Sequence, residues 1–591
     1  MSTKPQSVAV RFLPSLTDVA FIVPLIFQFN QLGGASSLLA DGDTGWHLRT
    51  GEWILAHGRV PQQDMFSYTH AGQPWFAWEW LWDVCFGFLN SHFGLQSVVI
   101  FSMLLLCCTS ALLYRLVLRK CPNPLIAIVV TVLANASASI HWLARPHLFT
   151  LFFVVVFLGI LDRAYIEGIP PLSGDGSPRP PGPATRRMLW LLPVLTILWT
   201  NLHGGFLAGL ILIAAYTAGG LMEAFLGAGG EVRRGVLDRV KPFFLTGVFC
   251  ALATLVNPYF IGLHVHIVKY LTDPYLYEHI KEFMAFNFGH PAAKYIEALM
   301  LLSAAAACWN LYNRRFQYFI LLAGWLHLGL NARRNVPLFA LICAPLVAEA
   351  MFCWLRDFQS THAAEWIKSA ARRFEESALI FGVTDRLPRL HLASAAAIVL
   401  LAVVMYAPHP PENFTASQDP KDFPVEAANV LLHEGYDRIF TSDTWGGYLI
   451  YRLYPQAKVF IDGRSDFYGT PFELEYLDVL AAKYDWDQNL DRYGAQTVLL
   501  PTDMALASAL KENPRWRVVY DDKVAIIFRL AAGQPTQQVS NCPNQGNGGS
   551  CGQSVAAATA KSDGASKTPD RSRTNYVAEI GPPRLPLLNR P

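Results

Sequence analysis

The stretch DGDTGWHLR, residues 41–49, follows the first apolar segment of the chain and lies in its first long polar loop, residues 38–92. Two carboxylates, Asp41 and Asp43, are separated here by a single glycine. Such a pair can bind a divalent cation or accept the proton of a hydroxyl group, provided that water is kept out. The alternative is a solvated loop whose aspartates cap a helix over residues 44–57.

The composition of the whole chain is that of a membrane protein with sizeable water-exposed parts. Hydrophobic residues make up 52% of the 591 residues and charged residues 16%, whereas soluble proteins average about 25% charged residues. The mean hydropathy of +0.26 is too high for a cytosolic globule and too low for membrane spans alone. The net charge of +2 leaves no basic face for nucleic acid, which is therefore not expected as a partner.

Apolar segments long enough to cross a membrane recur along the chain. A spanning helix needs about 20 mainly apolar residues. About eleven segments meet this requirement, centred near residues 25, 105, 132, 155, 195, 215, 249, 302, 322, 345 and 398. We expect a mainly α-helical, polytopic membrane protein with about eleven transmembrane helices. The first segment has no convincing cleavage site and is interpreted as a retained helix.

The distribution of Lys and Arg orients these spans, because cytoplasmic loops carry an excess of both. With the N-terminus in the cytoplasm, every strongly basic loop falls inside except the one that contains Arg333 and Arg334. The first loop and everything after about residue 407 then lie outside the cytoplasm. This pattern predicts a multi-pass membrane protein with a cytoplasmic N-terminus.

Three regions follow from this organisation. Residues 1–407 are expected to form the transmembrane domain, residues 408–530 a small extracytoplasmic α/β domain, and residues 531–591 a disordered tail rich in Gly, Ser, Gln and Asn. The α/β domain is predicted from strand-like apolar runs at 438–440, 458–461, 497–500 and 524–528, with helical stretches near 424–434 and 472–484.

Further polar residues lie near the predicted outer ends of the spans, namely Glu79, Arg145, His147, His203, Arg333 and Arg334. Glu79 lies within a Trp-rich run; interface anchoring explains the Trp residues but not the carboxylate. The arginines can alternatively snorkel to lipid headgroups. His203, which precedes two glycines, can alternatively just end a helix.

Several motifs resemble the GT-C superfamily of membrane glycosyltransferases, and most closely an uncharacterised bacterial branch related to it. The superfamily includes protein O-mannosyltransferases, aminoarabinose transferases and the catalytic subunit of oligosaccharyltransferase. The resemblance follows the order of features through roughly residues 15–530. The matching motifs are DTGWHLRTGEWIL from Asp43, WTNLHGG from Trp199, NPY from Asn257, ARRN from Ala332, WGGY from Trp445 and DGR from Asp462.

The resemblance implies an enzyme of the bacterial inner (plasma) membrane that transfers a sugar from a polyprenyl-phosphate donor to an extracytoplasmic acceptor, which the sequence does not identify. It implies that a first-loop aspartate acts as base or metal ligand. Asp43 is favoured over Asp41 because it begins the longer match, and Glu79 is a third catalytic candidate. The donor phosphate is expected near Arg333, Arg334, Arg145 and His203, and membrane lipid is the other expected partner.

The cofactor and two other questions stay open. A divalent cation, Mg²⁺ or Mn²⁺, held by Asp41 and Asp43 is the candidate cofactor, but no third ligand is fixed by spacing. Trp445, Tyr448, Asp462 and Arg464 are candidates for acceptor binding or for structural turns. The alternative function is a transporter, flippase or assembly factor for lipid-linked saccharides, although neither paired halves nor mid-span charges are evident.

Overall fold

Helices make up most of the computed structural model, which describes residues 11–167, 187–226, 230–359, 364–385 and 387–531. Beyond its first residue, the predicted disordered tail 531–591 lies outside these ranges. All described residues belong to one compact unit. The predicted boundary between residues 407 and 408 therefore stays a prediction.

Twenty-two α-helices run through the described ranges. Those of the first half are α1 (Leu16–Asn30), α2 (Ala35–Leu38), α3 (Asp43–His57), α4 (Trp80–Lys120), α5 (Pro124–Ala138), α6 (His147–Glu167), α7 (Leu191–Leu202), α8 (Leu207–Leu226), α9 (Gly230–Ala253), α10 (Ile261–Leu271) and α11 (Pro274–His279). Those of the second half are α12 (Ala293–Tyr312), α13 (Phe316–Asn331), α14 (Val336–Gln359), α15 (Glu365–Asp385), α16 (Leu392–Met405), α17 (Val425–Glu434), α18 (Asp443–Leu453), α19 (Ser465–Tyr468), α20 (Thr470–Leu480), α21 (Trp486–Arg492) and α22 (Ala505–Glu512).

Every predicted span centre lies within one of these helices. Within the described ranges, six helices are long and apolar enough to cross a membrane, namely Trp80–Lys120, Pro124–His141, His147–Ile166, Gly204–Leu226, Ala293–Tyr312 and Arg333–Phe358. Three more apolar helices are shorter, namely Leu16–Asn30, Arg187–Leu202 and Leu392–Met405. The chain is thus a mainly helical, multi-pass membrane protein, and the count of about eleven spans stays a prediction.

A buried charge cluster joins four helices at one end of the bundle. Lys120 Nζ lies 2.8 Å from Asp162 Oδ1 on α6 and 3.2 Å from Glu349 Oε2 on α14. The Tyr318 hydroxyl on α13 donates to Asp162 Oδ1 at 2.7 Å. Charges among membrane helices are costly unless they are paired, so this cluster fixes how α4, α6, α13 and α14 pack.

A five-stranded mixed sheet follows the last apolar helix. Its strands are β1 (Arg438–Thr441), β2 (Lys458–Val459), β3 (Thr497–Pro501), β4 (Trp516–Asp521) and β5 (Ala525–Leu530). They are arranged in the order β2-β1-β3-β5-β4; β2, β1 and β3 are parallel, and β5 is antiparallel to both β3 and β4. The four predicted strands are confirmed. The edge strand β4 was not predicted; its apolar run is confined to residues 518–520, and only Trp516 among its side chains is buried.

The first loop and the sheet region share one hydrophobic core. Trp46, Phe66 and Trp75 of the loop pack with Trp445 and Val459 of the sheet region. The loop also pairs with β2, since the Val459 backbone N–H donates to the Phe66 carbonyl at 3.2 Å. These contacts bring the segment after β2 to the start of α3.

Two backbones approach closely where α18 crosses the start of α3. A Cβ atom on Gly447 would lie 2.4 Å from the carbonyl oxygen of Gly42, well inside contact distance. Only glycine allows this approach without a shift of the backbone. The WGGY motif therefore acts here as a packing surface for the acidic stretch.

Arg464 fastens the first loop to the segment after β2. Its side chain is 1% exposed, and its Nη2 lies 2.8 Å from Asp64 Oδ1 and 2.7 Å from Asp462 Oδ2. The guanidinium also lies 4.6 Å from the centre of the Trp75 ring. Burial opposes ionisation of Asp64, but Arg464 and the hydrogen bonds from Ser67 outweigh it and lower the pKa of this carboxyl.

Replacing Arg464 by methionine is expected to lower the free energy of unfolding by about 3 to 5 kcal/mol, because two buried carboxylates lose their counter-charge. Thermal unfolding of the purified protein measures this change. Arg492→Met is the matched control, since Arg492 is 57% exposed and its ion pair with Glu475 lies at the surface. Equal unfolding temperatures for the two variants would contradict the assignment.

Candidate active site

Arg145 joins the two carboxylates that the sequence singles out. Its Nη1 lies 2.7 Å from Asp41 Oδ2, and its Nη2 lies 2.9 Å from Asp43 Oδ2. Asp43 is the first residue of α3, and its backbone N–H donates to Asp41 Oδ1 at 2.9 Å. Arg145 comes from the turn before α6, about a hundred residues away in sequence. The arginine fork thus holds both aspartates in fixed orientations.

A third carboxylate, Glu282, shares the same arginine. Its Oε1 lies 3.1 Å from Arg145 Nη1 and 3.8 Å from His141 Nε2. The backbone N–H of Arg334 donates to the Glu282 carbonyl at 3.0 Å, so the turn before α14 lies beside this loop. Glu282 was not predicted, because a single carboxylate in a polar loop produces no periodic or motif signal.

The two predicted arginines of that turn differ in their surroundings. Arg333 Nη2 donates to the Ile140 carbonyl at 3.2 Å. The guanidinium of Arg334 lies 4.3 Å from the centre of the Phe283 ring. Among the residues that the structure describes, Arg334 has neither an ion pair nor a side-chain hydrogen bond. It is therefore available to an anionic ligand at the site.

Glu79 lies between two histidines. Its Oε2 is 3.4 Å from His47 Nε2, and its Oε1 is 3.4 Å from His203 Nε2. On the far side, His47 Nδ1 lies 2.6 Å from Asp83 Oδ1. Of these four residues the sequence predicted Glu79 and His203 as site residues. His47 lies within the motif that begins at Asp43, and Asp83 lies four residues after Glu79; neither was predicted as a site residue.

Hydrogen bonds to His203 fix which of its nitrogens carries the proton. The Gly205 backbone N–H donates to His203 Nδ1 at 3.0 Å, and the Thr150 hydroxyl lies 2.7 Å from the same atom. A backbone N–H can only donate, so Nδ1 of the neutral ring is unprotonated and the proton is on Nε2, which faces Glu79. The predicted helix end at His203 is also confirmed, since α7 ends at Leu202.

Burial opposes ionisation of Asp43, Glu79 and Glu282, and the neighbouring charges decide whether the net pKa of each is raised or lowered. Burial raises the pKa of Asp43 to about 7, with Arg145 opposing and Asp41 adding to the shift. Burial likewise raises the pKa of Glu79 to about 8. Burial also opposes ionisation of Glu282, but Arg145 and the neighbouring cations outweigh it and lower its pKa to about 2.

The histidines and the arginine respond to the same burial. Burial is the main cause that lowers the pKa of His203 to about 3, and Arg334 and Arg145 add to it. Burial also lowers the pKa of His47 well below its usual value. Burial disfavours the charged Arg145, but the carboxylates around it raise its pKa further. At neutral pH the site thus holds neutral histidines, a neutral Glu79 and a charged Arg145.

The segment after β2 covers Asp43. A Cβ atom on Gly463 would lie 2.0 Å from Asp43 Oδ1, so the glycine leaves room for this carboxylate. Three residues on, Asp466 Oδ2 lies 2.8 Å from His266 Nε2 on α10. The neighbouring His264 instead contacts Thr254, with 2.7 Å between Nε2 and Oγ1. The two histidines of α10 have different partners and do not form a metal pair.

The other predicted C-terminal candidates are buried and have structural partners of their own. Trp445 Nε1 donates to the Asp422 carbonyl at 2.8 Å, and the Tyr448 hydroxyl accepts from Arg452 at 2.8 Å. Asp462 and Arg464 belong to the buried network with Asp64. Their acceptor role stays a prediction, and these contacts support the structural alternative.

A metal site is likewise not assembled from the described residues, in which no group of three or more His, Cys, Asp or Glu side chains could hold an ion. Arg145 already supplies a positive charge between Asp41 and Asp43. The divalent cation stays a prediction, and no chemical step below depends on it.

Comparison with known proteins identifies solved structures with a similar fold. No family model matches the chain, and no curated protein matches its sequence. The oligosaccharyltransferase of Archaeoglobus fulgidus in its apo form matches the structure with a TM-score of 0.51 and 12% identity, over 85% of this chain and 70% of that one. The oligosaccharyltransferase AglB from the same organism, in complex with an inhibitory peptide and a dolichol-phosphate, matches with a TM-score of 0.51 and 13% identity, over 88% and 74%.

A third solved structure, apo ArnT from Cupriavidus metallidurans, matches with a TM-score of 0.41 and 15% identity, over 86% of this chain and 97% of that one. At these identities the likeness concerns the fold alone, which rests on the two archaeal structures. The resemblance stated from the sequence is confirmed at this level: the chain has a GT-C-like fold.

Proposed function

We propose that this protein is a membrane glycosyltransferase of the GT-C type, which moves a sugar from a polyprenyl-phosphate donor to an extracytoplasmic acceptor. The observation that carries the proposal is Asp43, a largely but not fully buried carboxylate with a pKa near 7 that Arg145 orients and Gly463 contacts. A carboxylate with such a pKa is well matched to accept a proton at neutral pH.

In the proposed reaction, Asp43 takes the proton of the acceptor hydroxyl as the hydroxyl oxygen attacks the anomeric carbon of the donor. The bond between this carbon and the phosphate oxygen breaks, and its electron pair stays with the polyprenyl phosphate. Arg145 is already shared by three carboxylates, so Arg334 is the cation best placed to stabilise the leaving phosphate. The product has inverted anomeric configuration, since a single displacement occurs.

An apolar hollow of about 610 Å³ supports a lipid-linked donor. It is lined mainly by apolar side chains of α4, α7 and the segment before α10, including Leu81, Leu198 and Pro258. Trp80 and Asn201, which also line it, are hydrogen-bonded to each other at 2.8 Å. Because Trp80 follows Glu79 directly, this hollow would place a prenyl chain next to the acidic site.

Placement in the bacterial inner membrane, with the site and the C-terminal α/β region on the extracytoplasmic side, belongs to this proposal. It is supported by the basic loops of the sequence and by the polar groups that gather at one end of the helices. The position of Arg333 and Arg334 at that end accounts for the one basic loop that departs from the charge pattern.

Replacing Asp43 by asparagine is expected to lower turnover by about 10²- to 10⁴-fold, because the acceptor hydroxyl loses its general base. The measurement incubates purified protein with a panel of polyprenyl-phosphate sugars and a membrane extract, and follows free polyprenyl phosphate by mass spectrometry. Asp478→Asn is the control, since Asp478 is 47% exposed on α20.

Gly463→Ala gives an independent variant for the same test. Its methyl group would displace the Asp43 carboxylate without removing it, so turnover is expected to fall while the unfolding temperature changes little. Full activity in Asp43→Asn would refute the base assignment. No release from any donor by the wild type would favour a transporter or assembly factor.

The pH profile of kcat/KM is expected to be bell-shaped. Below about pH 7 the rate falls because Asp43 is protonated, and above about pH 8 it falls because Glu79 ionises and adds a negative charge between His47 and His203. Glu79→Gln stays neutral at every pH, so this variant is expected to lose only the alkaline limb. A profile in which Glu79→Gln retains that limb would show that another group causes it.

Replacing Arg334 by glutamine is expected to raise the KM for the donor and to lower kcat, because both the bound and the leaving phosphate lose a cation. Steady-state kinetics with varied donor and varied acceptor measure the change. The KM for the acceptor is expected to stay within about twofold. Arg333→Gln is the neighbouring comparison, and an equal rise of donor KM in both variants would refute the specific role of Arg334.

A further inference from the structure

A basic groove lies at the ends of the helices opposite to the acidic site. α4 begins beside Glu79 and ends at Lys120, and α6 begins beside His203 and contains Arg163 at its far end. From His147 to Arg163 the rise along a helix is roughly 24 Å, which is most of the thickness of a hydrocarbon core. The groove therefore lies at the other membrane face from Asp43.

Two hollows meet at this end and share two arginines. The first, of about 800 Å³, is lined by Arg115, Arg119 and Arg389, with Asp385 as its one carboxylate among the lining residues. The second, of about 460 Å³, is also lined by Arg115 and Arg119 and continues between α4 and α6. Arg115 and Arg119 thus line both the basic first hollow and the second hollow, an apolar slot between α4 and α6.

The charges of the first hollow are not balanced by its own carboxylate. Asp385 accepts hydrogen bonds from the Leu16 backbone N–H at 2.6 Å and the Tyr114 hydroxyl at 2.9 Å, both neutral donors. Within the described part of the chain, Arg119 makes only a 3.4 Å bond to the Gly159 carbonyl, and Arg115 makes no hydrogen bond or ion pair. The groove is therefore a net cationic surface.

Lys120, the next basic residue along α4, is buried and paired, unlike Arg115 and Arg119. It points inward, is 1% exposed and is paired with Asp162 and Glu349. Arg115 and Arg119, four residues apart on the same helix face, point outward and are exposed. The packing of the bundle accounts for Lys120 but not for the two arginines.

We propose that this groove binds an anionic glycerophospholipid of the facing leaflet. Arg115 and Arg119 hold its headgroup phosphate, and an acyl chain lies in the slot between α4 and α6. A free phosphate would satisfy the arginines but not the apolar walls formed by Leu112, Leu116, Val156 and Ile160. Basic pockets between membrane helices commonly bind anionic headgroups in this way. The proposal does not depend on the transferase reaction.

The test uses the full-length protein in detergent, titrated with phosphatidylglycerol, with zwitterionic phosphatidylethanolamine or with inorganic phosphate. Bound lipid is counted by native mass spectrometry, and the unfolding temperature is followed in parallel. Arg115→Gln/Arg119→Gln removes the proposed headgroup ligands. Arg233→Gln/Arg234→Gln removes the same charge from exposed residues near the start of α9, at the same end of the bundle.

Wild type and the Arg233/Arg234 control are expected to retain phosphatidylglycerol over phosphatidylethanolamine. The Arg115/Arg119 variant is expected to bind it at least about tenfold more weakly, since each arginine near an anionic lipid contributes about a factor of five. Val156→Phe fills the slot while keeping both arginines, so it is expected to weaken lipid binding also. This variant decides the question if the double variant does not fold.

Three results would overturn the proposal. One is equal retention of the two lipids, and another is unchanged phosphatidylglycerol binding in both the double variant and Val156→Phe. The third is stabilisation by inorganic phosphate that equals that by phosphatidylglycerol and depends on the same arginines. This last result would identify a site for a soluble anion instead of a lipid.

Discussion

One shared arginine organises the polar end of this protein. Arg145 contacts Asp41 and Asp43 of the first loop and Glu282 of a second, distant loop. Three carboxylates share one guanidinium in a partly buried cluster. Burial raises the pKa of Asp43, and the neighbouring Asp41 adds to this shift while Arg145 opposes it. Without the arginine, the desolvation of these carboxylates would not be compensated.

A row of three polar side chains, His203, Glu79 and His47, lies beside that cluster. Thr150 and Gly205 fix the proton of His203 on the nitrogen that faces Glu79, and Glu79 in turn faces His47. Because burial keeps both histidines neutral, the row carries little charge and does not compete with Arg145 for the acidic groups. A charged cluster and a neutral row thus lie side by side, which allows a proton acceptor and a phosphate site to coexist in a small volume.

Much of the fold was predictable because its signals are local. Apolar segments of membrane length mark the helices, and short apolar runs mark four of the five strands. β4 was not predicted; it is an edge strand in which only Trp516 is buried. For the site, the Asp-Gly-Asp stretch, Arg145, Glu79 and His203 were identified, and the structure brings them together. The contribution of Glu282 was not foreseen because it belongs to no motif. The covering role of Gly463 was not foreseen because the DGR motif does not indicate what the glycine packs against.

The sequence alone determined that the chain is helical and membrane-embedded, that an acidic pair follows its first apolar segment, and that a strand-forming region lies after its last. These properties depend on hydropathy and spacing over a few residues. Only the tertiary structure decided which of the many polar residues meet. Asp41 and Arg145 are 104 positions apart, and Arg464 and Asp64 are 400 apart. Such contacts depend on how the helices and the sheet pack, and no local pattern encodes that packing.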